Sequence, residues 1–111
     1  MITPAQVSLY KVGVLWSLGD AGAAIETGRR LYPGQFPTPE RRARLHTDMA
    51  RAWWQRGKPD ETALALLAAY DQVSAEVSTR PAIRKMATDL VRQHPRATGV
   101  QELATAIGAG R

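Results

Sequence analysis

Apolar positions recur with helical spacing along most of the chain, and the period-two alternation of a half-buried strand is nearly absent. Val7, Leu9, Val12, Leu15, Trp16 and Leu18 give a first helix a broad apolar surface. It is expected to start at Thr3-Pro4, where a threonine hydroxyl accepts an orphan N–H and proline at the first helical position loses no hydrogen bond. Gly19 ends it, since glycine takes positive φ without steric cost. Asp20 can cap a second helix holding Ala24, Ile25 and Leu31.

The segment Tyr32-Pro33-Gly34-Gln35-Phe36-Pro37 is predicted to be a loop. Thr38-Pro39-Glu40 then repeats the threonine cap, and a third helix is expected to run to about Arg56 with Leu45, Met49, Ala52 and Trp53 on its apolar side. Gly57 stops it. Pro59 or Asp60 opens a fourth helix carrying Ala63, Leu64, Leu67 and Tyr70, expected to fray near Val73. Ser78 or Thr79 is the expected cap of a fifth helix, with Pro81 in its first turn, Ile83, Met86, Ala87, Leu90 and Val91 at helical spacing, and Pro95 at its end. A short sixth helix, Val100 to Ile107, precedes a Gly-rich tail expected to fray.

Two of these helix pairs stand in register at an offset of 38 residues: Trp16 matches Trp54, Gly19 matches Gly57, and Tyr32 matches Tyr70. Both turns place glycine and a polar residue ahead of small residues on the following helix, as in Gly19-Asp20-Ala21 and Gly57-Lys58-Pro59-Asp60-Glu61-Thr62-Ala63. They resemble the turn of the tetratricopeptide repeat. Antiparallel helices joined by a tight turn need glycine at the turn and small residues where their backbones approach, here Ala50 against Thr62 or Ala63. A single pair cannot bury its apolar face, so pairs must stack. The expected fold class is all-α: antiparallel helical hairpins stacked as a tetratricopeptide-like array of about five to six helices. One domain is expected over residues 1–111, divided into pairs at 1–36, 37–76 and 77–111.

With 111 residues the chain can bury a core without staples. Absence of cysteine excludes disulfides and thiolate metal sites, and His46 and His94 have no ligand-like spacing, so neither a metal nor a cofactor is expected. No segment approaches the length of a membrane span, and the N-terminus lacks the pattern of a signal peptide, which makes the cytoplasm the expected compartment. The formal net charge of +5 comes mostly from arginine. An Arg- and Ala-rich composition suggests a GC-rich genome, and the charge permits only weak, salt-sensitive attraction to polyanions.

Five stretches, Ala5–Val12, Leu18–Ile25, Pro37–Arg44, Asp48–Pro59 and Ala65–Tyr70, taken in order, resemble the C-terminal region of actinobacterial Xre-type helix-turn-helix transcriptional regulators, common in streptomycetes. Members carry an N-terminal DNA-binding domain followed by tetratricopeptide-like helices. The resemblance implies a C-terminal part that senses an effector or partner, or holds subunits together. The DNA-reading domain has no counterpart in these residues, so the chain is expected to be either part of a longer regulator or a stand-alone relative. Sequence-specific DNA binding by this chain alone is not expected, because no recognition helix is offered.

Helical repeats bind through the groove lined by the first helix of each pair. In the repeat register, the groove positions are Gln6, Leu9, Gly13, Trp16 and Ser17 in the first pair, and Arg44, Thr47, Arg51, Trp54 and Gln55 in the second. Trp16, Arg44, Thr47, Arg51, Trp54 and Gln55 are the candidate binding residues. Arginine forks suit carboxylates and indoles suit apolar or aromatic groups, although tryptophans at such spacing also serve as packing between repeats. Trp53, beside Trp54, is assigned to the core. The expected partners are a protein or peptide, or a small effector, in the groove, with a homodimer as a further possibility.

Arg41, Arg42 and Arg44, with Arg29 and Arg30 near in sequence, form either a solvated face or a nucleic-acid surface; Glu40 to Arg44 offers an i,i+4 ion pair. No nucleophile–base–orienter arrangement is visible, so no catalytic residue is assigned and no enzyme is expected. Two functional classes remain: a sensing, oligomerisation or interaction module of a transcriptional regulator, and a stand-alone adaptor gripping a peptide or partner in its groove.

Overall fold

The computed structural model describes residues 2–108, and among these every regular element is helical. Helix α1 spans Pro4–Ser17, α2 Ala21–Arg29, α3 Pro39–Gln55, α4 Pro59–Gln72, α5 Ala75–Ser78, α6 Pro81–Gln93 and α7 Val100–Ile107, with a single 3-10 turn at Pro33–Gln35. The Gly-rich tail expected after Ile107 lies, from residue 109 on, outside the described residues. No described helix is long and apolar enough to cross a membrane.

The local signals act through identifiable bonds. Thr3 accepts from the Gln6 amide, and the Gln6 side chain accepts from the Thr3 amide, closing a capping box. Asp20 accepts from the Ala23 amide at 3.1 Å, and Thr38 from the Arg41 amide at 3.3 Å. The two glycine turns are alike bond for bond. Gly19 N–H donates to Trp16 O and Asp20 N–H to Leu15 O; Gly57 N–H donates to Trp54 O and Lys58 N–H to Trp53 O. This is the Schellman closure, and it needs the positive φ of +85° at Gly19 and +70° at Gly57.

Three expectations give way. Ser78 and Thr79 do not cap the helix at Pro81: both hydroxyls donate back to carbonyls, of Ser74 and Ala75, and the residues between the fourth helix and Pro81 form the extra short helix α5. Position Arg80 precedes α6 with no side-chain cap. The Tyr32–Tyr70 match is not structural, because α2 stops at Arg29 while α4 carries Tyr70 within it. Pro33 accounts for the early stop, since the residue before a proline is pushed out of the helical region, and Tyr32 has φ −136° and ψ 152°. Glu40 and Arg44 make no ion pair within 4 Å; the pairs among the described residues are Glu26–Arg29, Glu76–Arg80, Asp89–Lys85 and Asp89–Arg92.

The helices pack as hairpins α1/α2, α3/α4 and α6/α7, with α2 and α1 against α3 and with α4 against α6 and α7. Where helices approach, alanines are fully buried: Ala24, Ala43, Ala50, Ala52, Ala63, Ala69 and Ala87. Much of the alanine content therefore has a packing reason. Thr62, also buried, satisfies its hydroxyl on Lys58 O at 2.7 Å. Phe36, Leu9 and Leu45 form one apolar cluster; Val12, Ala21, Ala24, Ile25 and Ala52 form a second; a larger one joins Leu66, Val77, Ile83, Leu90, Val100 and Leu103. The radius of gyration is 13.2 Å, that of a closed domain of this length.

Candidate functional site

The first helices of the three hairpins, α1, α3 and α6, meet around a pocket of about 220 Å³. Trp16 comes from the end of α1, Arg51, Trp54 and Gln55 from the last turns of α3, and Ala82, Lys85, Met86 and Asp89 from one face of α6. Four of the six candidate residues are thus brought together, although Trp16 and the α3 residues are more than thirty positions apart in sequence.

Each side chain is held by specific contacts. The Trp16 indole N–H donates to Asp48 Oδ1 at 3.0 Å, which fixes the ring, and the Arg51 guanidinium lies over the ring 4.2 Å from its centroid. Gln55 donates through Nε2 to Trp16 O at 2.8 Å, tying the ends of α1 and α3 together. The two indoles do not stack on each other: one face of Trp16 is taken by Arg51, and Trp54 meets His94 edge to face with centroids 6.1 Å apart. Trp54 also packs against the large C-terminal cluster, while Trp16 and Trp53 pack against the cluster of Val12 and Ile25. All three tryptophans are half-buried, so Trp53 does not monopolise the packing role.

Two candidates fall elsewhere. Arg44 lines a separate, larger trough beside α1, of about 730 Å³, with Gln6, Leu9, Gly13, Ser17 and the other side of Trp16. Thr47 is not on an open wall at all; it is 1 % exposed. Its hydroxyl donates to Arg44 O and receives Arg80 Nη1 at 3.5 Å, while Arg80 is itself paired to Glu76 at 2.7 Å. Thr47 thus lines neither pocket, and Arg44 and Arg51 fall on different ones, so the expected groove is not continuous along α3. The arginine cluster is also thinned: Arg42 is committed to Gln72 Oε1 and Phe36 O, both at 2.9 Å.

The residue missed in the sequence is Asp48, which is 7 % exposed and lies beneath Trp16. Burial raises its carboxyl above the ordinary value, and the Trp16 hydrogen bond and the charges of Arg44, Arg80 and Arg51 only partly oppose this. The available signal was Asp48 flanked on its own helix by Arg44 at i−4 and Arg51 at i+3. Burial pushes the Arg51 guanidinium down, with Arg80 and Arg44 adding to the effect and Asp48 opposing it. It remains a cation at neutral pH. On the far wall Asp89 is held below the ordinary carboxylate range chiefly by its hydrogen bond from Lys85. His46 lies outside both pockets, its imidazole pushed down by burial.

The raised Asp48 value carries a sign that can be checked. A carboxyl whose folded value exceeds its unfolded one binds protons more tightly when folded, so its ionisation costs stability, and that cost is absent below the unfolded value and complete above the folded one. Asp48→Asn keeps an acceptor for the Trp16 indole and removes the ionisation. It is expected to be more stable than the parent at pH 7, with the advantage disappearing as pH falls through the raised Asp48 value toward the unfolded one of about 4. Urea unfolding of both chains at pH 7 and at pH 3.5 checks this; a variant less stable at pH 7 would mean that the arginines outweigh burial.

Among the described residues no group of three or more His, Cys, Asp or Glu side chains could hold a metal ion. No family model, no curated protein and no solved structure matches the chain, which leaves the function to be argued from the groove itself.

Proposed function

We propose that the chain is a non-catalytic interaction module that takes an acidic segment of a partner protein in the pocket between α1, α3 and α6. The observation that carries this is Arg51. It is half-buried and held over Trp16, and among the described residues it has no ion pair within 4 Å and donates no hydrogen bond. A desolvated guanidinium repelled by Arg80 and Arg44 gains most from an incoming carboxylate, which its planar fork can hold with two parallel bonds. Trp54 and Met86 beside it offer apolar contact for a neighbouring side chain. At about 220 Å³ the pocket is smaller than the usual roughly 300–1,000 Å³ of small-molecule sites, which favours one or two side chains of a longer segment over a free effector.

The resemblance to the C-terminal region of Xre-type regulators supports a regulatory setting for this recognition; a stand-alone adaptor would use the same pocket. Panning a random peptide display library on the chain is expected to enrich sequences pairing Asp or Glu with a neighbouring apolar residue. Arg51→Gln should weaken the best of them about 10- to 100-fold, the range for a lost hydrogen bond to a charged group. Selection of basic or uncharged peptides, or equal binding by Arg51→Gln, would reject the proposal.

A further inference from the structure

Helix α1 carries a second surface, turned away from the pocket. Ile2, Val7, Tyr10, Val14 and Leu18 are exposed, Tyr10 by 78 % and Val7 by 58 %. Val7, Tyr10 and Val14 are spaced by three and four residues and so form one stripe along the helix. The stripe forms one side of the trough of about 730 Å³, and Arg41 and Arg44 of α3 stand on the other.

The repeat register says what such positions do. Shifted by 38 residues, Val7, Tyr10 and Val14 become Leu45, Asp48 and Ala52 of α3. All three are buried, at 4, 7 and 0 % exposure. What covers them is the preceding hairpin: Leu45 clusters with Leu9 and Phe36, Asp48 lies under Trp16, and Ala52 clusters with Val12 and Ile25. The same face of α1 has no helix on it among the described residues. The opposite end of the array differs, since α7 exposes Gln101, Glu102 and Thr105, the polar outer face that a terminal repeat needs in water.

Charge narrows the occupant. Between Pro4 and Ser17 there is no acidic residue; Lys11 is exposed on α1, Arg41 and Arg44 are exposed across the trough, and Asp48, the one carboxylate that lines it, is buried and accepts from the Trp16 indole. A second copy docked α1 to α1 would set these cations against their own images. With Tyr10 and Val7 so far out in solvent, the trough is open, and a small molecule in it would stay largely wet. We infer that this face of α1 docks an amphipathic helix of a partner protein, apolar along one side and acidic along its flank, in the place that α1 and α2 take on α3. The trough shares Trp16 with the pocket at Arg51, but the stripe of Val7, Tyr10 and Val14 and the arginines Arg41 and Arg44 lie outside that pocket.

Two synthetic peptides test this on the full chain. Both carry leucine at i, i+3, i+4 and i+7. One has glutamate and the other lysine along the flanks, and binding is read by fluorescence anisotropy. The glutamate peptide is expected to bind and the lysine twin to bind about tenfold more weakly or not at all, as for rim charges turned from attraction to repulsion. The double variant Arg41→Glu, Arg44→Glu should invert the order. Tyr10→Glu should abolish binding while keeping the helical circular dichroism, because the side chain is in solvent and outside the pocket at Arg51. Equal binding of the two peptides, failure of both, or undiminished binding in Tyr10→Glu overturns the inference. So does sedimentation equilibrium showing a dimer of the chain that Tyr10→Glu dissociates.

Discussion

Phe36→Ala is expected to destabilise the chain by about 3–5 kcal/mol, the range for removing a fully buried aromatic side chain and leaving a cavity. Phe36 is 1 % exposed and is the only phenylalanine in the sequence. It sits in a stretch predicted to be loop, directly after the 3-10 turn at Pro33–Gln35, and reaches inward to Leu9 of α1 and Leu45 of α3. Its carbonyl also receives Arg42 Nη1 at 2.9 Å, so the backbone there is anchored as well as the ring. The connection between the first and second hairpins is therefore part of the core. For a domain whose whole stability is of the order of 5–15 kcal/mol, such a loss approaches unfolding. Guanidinium melts of the parent and of Phe36→Ala check it; a loss below 1 kcal/mol would mean that α1 and α3 close over the gap without the ring.

The second large effect separates two adjacent residues. Because each indole packs against a different cluster, Trp53→Ala and Trp54→Ala are both expected to lose stability, each toward the lower end of the roughly 3–5 kcal/mol for truncating a large aromatic, since each ring keeps surface in water. Only Trp54→Ala should also lose partner binding, by a further 1–3 kcal/mol or so, as expected for a contact residue at a binding pocket. Melting gives the first quantity and titration of a panned acidic peptide, well below the melting temperature, gives the second. A Trp54 variant that melts like the parent would show that its contacts with the C-terminal cluster and with His94 contribute nothing. A Trp53 variant with impaired binding would place the pocket on the wrong face of α3.

What was legible in the sequence was local chemistry. Thr3, Asp20 and Thr38 cap because the acceptor lies within three residues of the orphan amide, and Gly19 and Gly57 close their turns through bonds spanning five residues. Ser78 and Thr79 misled for the same reason: a hydroxyl at a helix end can accept from the amides ahead of it or donate to the carbonyls behind it, and here it donates backward. The candidate pocket was legible where helical spacing decides, as for Arg51 and Trp54 on one face of α3. It was not legible where a distant residue decides. Thr47 meets Arg80, 33 positions away, and Asp48 accepts from Trp16, 32 positions away. The wall supplied by α6 likewise depends on how the third hairpin stacks, which no local signal states. Arg42 shows the same limit, since its withdrawal from the arginine cluster depends on Gln72 of α4.

The most direct test of the pocket uses the three tryptophans as separate reporters. In a proton–nitrogen correlation spectrum of the folded chain, each indole N–H gives its own signal, and a panned acidic peptide is titrated in. Trp16 and Trp54 line the pocket, and Trp53 does not. The indole signals of Trp16 and Trp54 are predicted to move with a common saturation curve, together with the Arg51 side-chain Nε–H, while Trp53 stays in place. Movement of Trp53 instead, or saturation binding with Trp16, Trp54 and Arg51 all unmoved, would contradict recognition in the pocket between α1, α3 and α6.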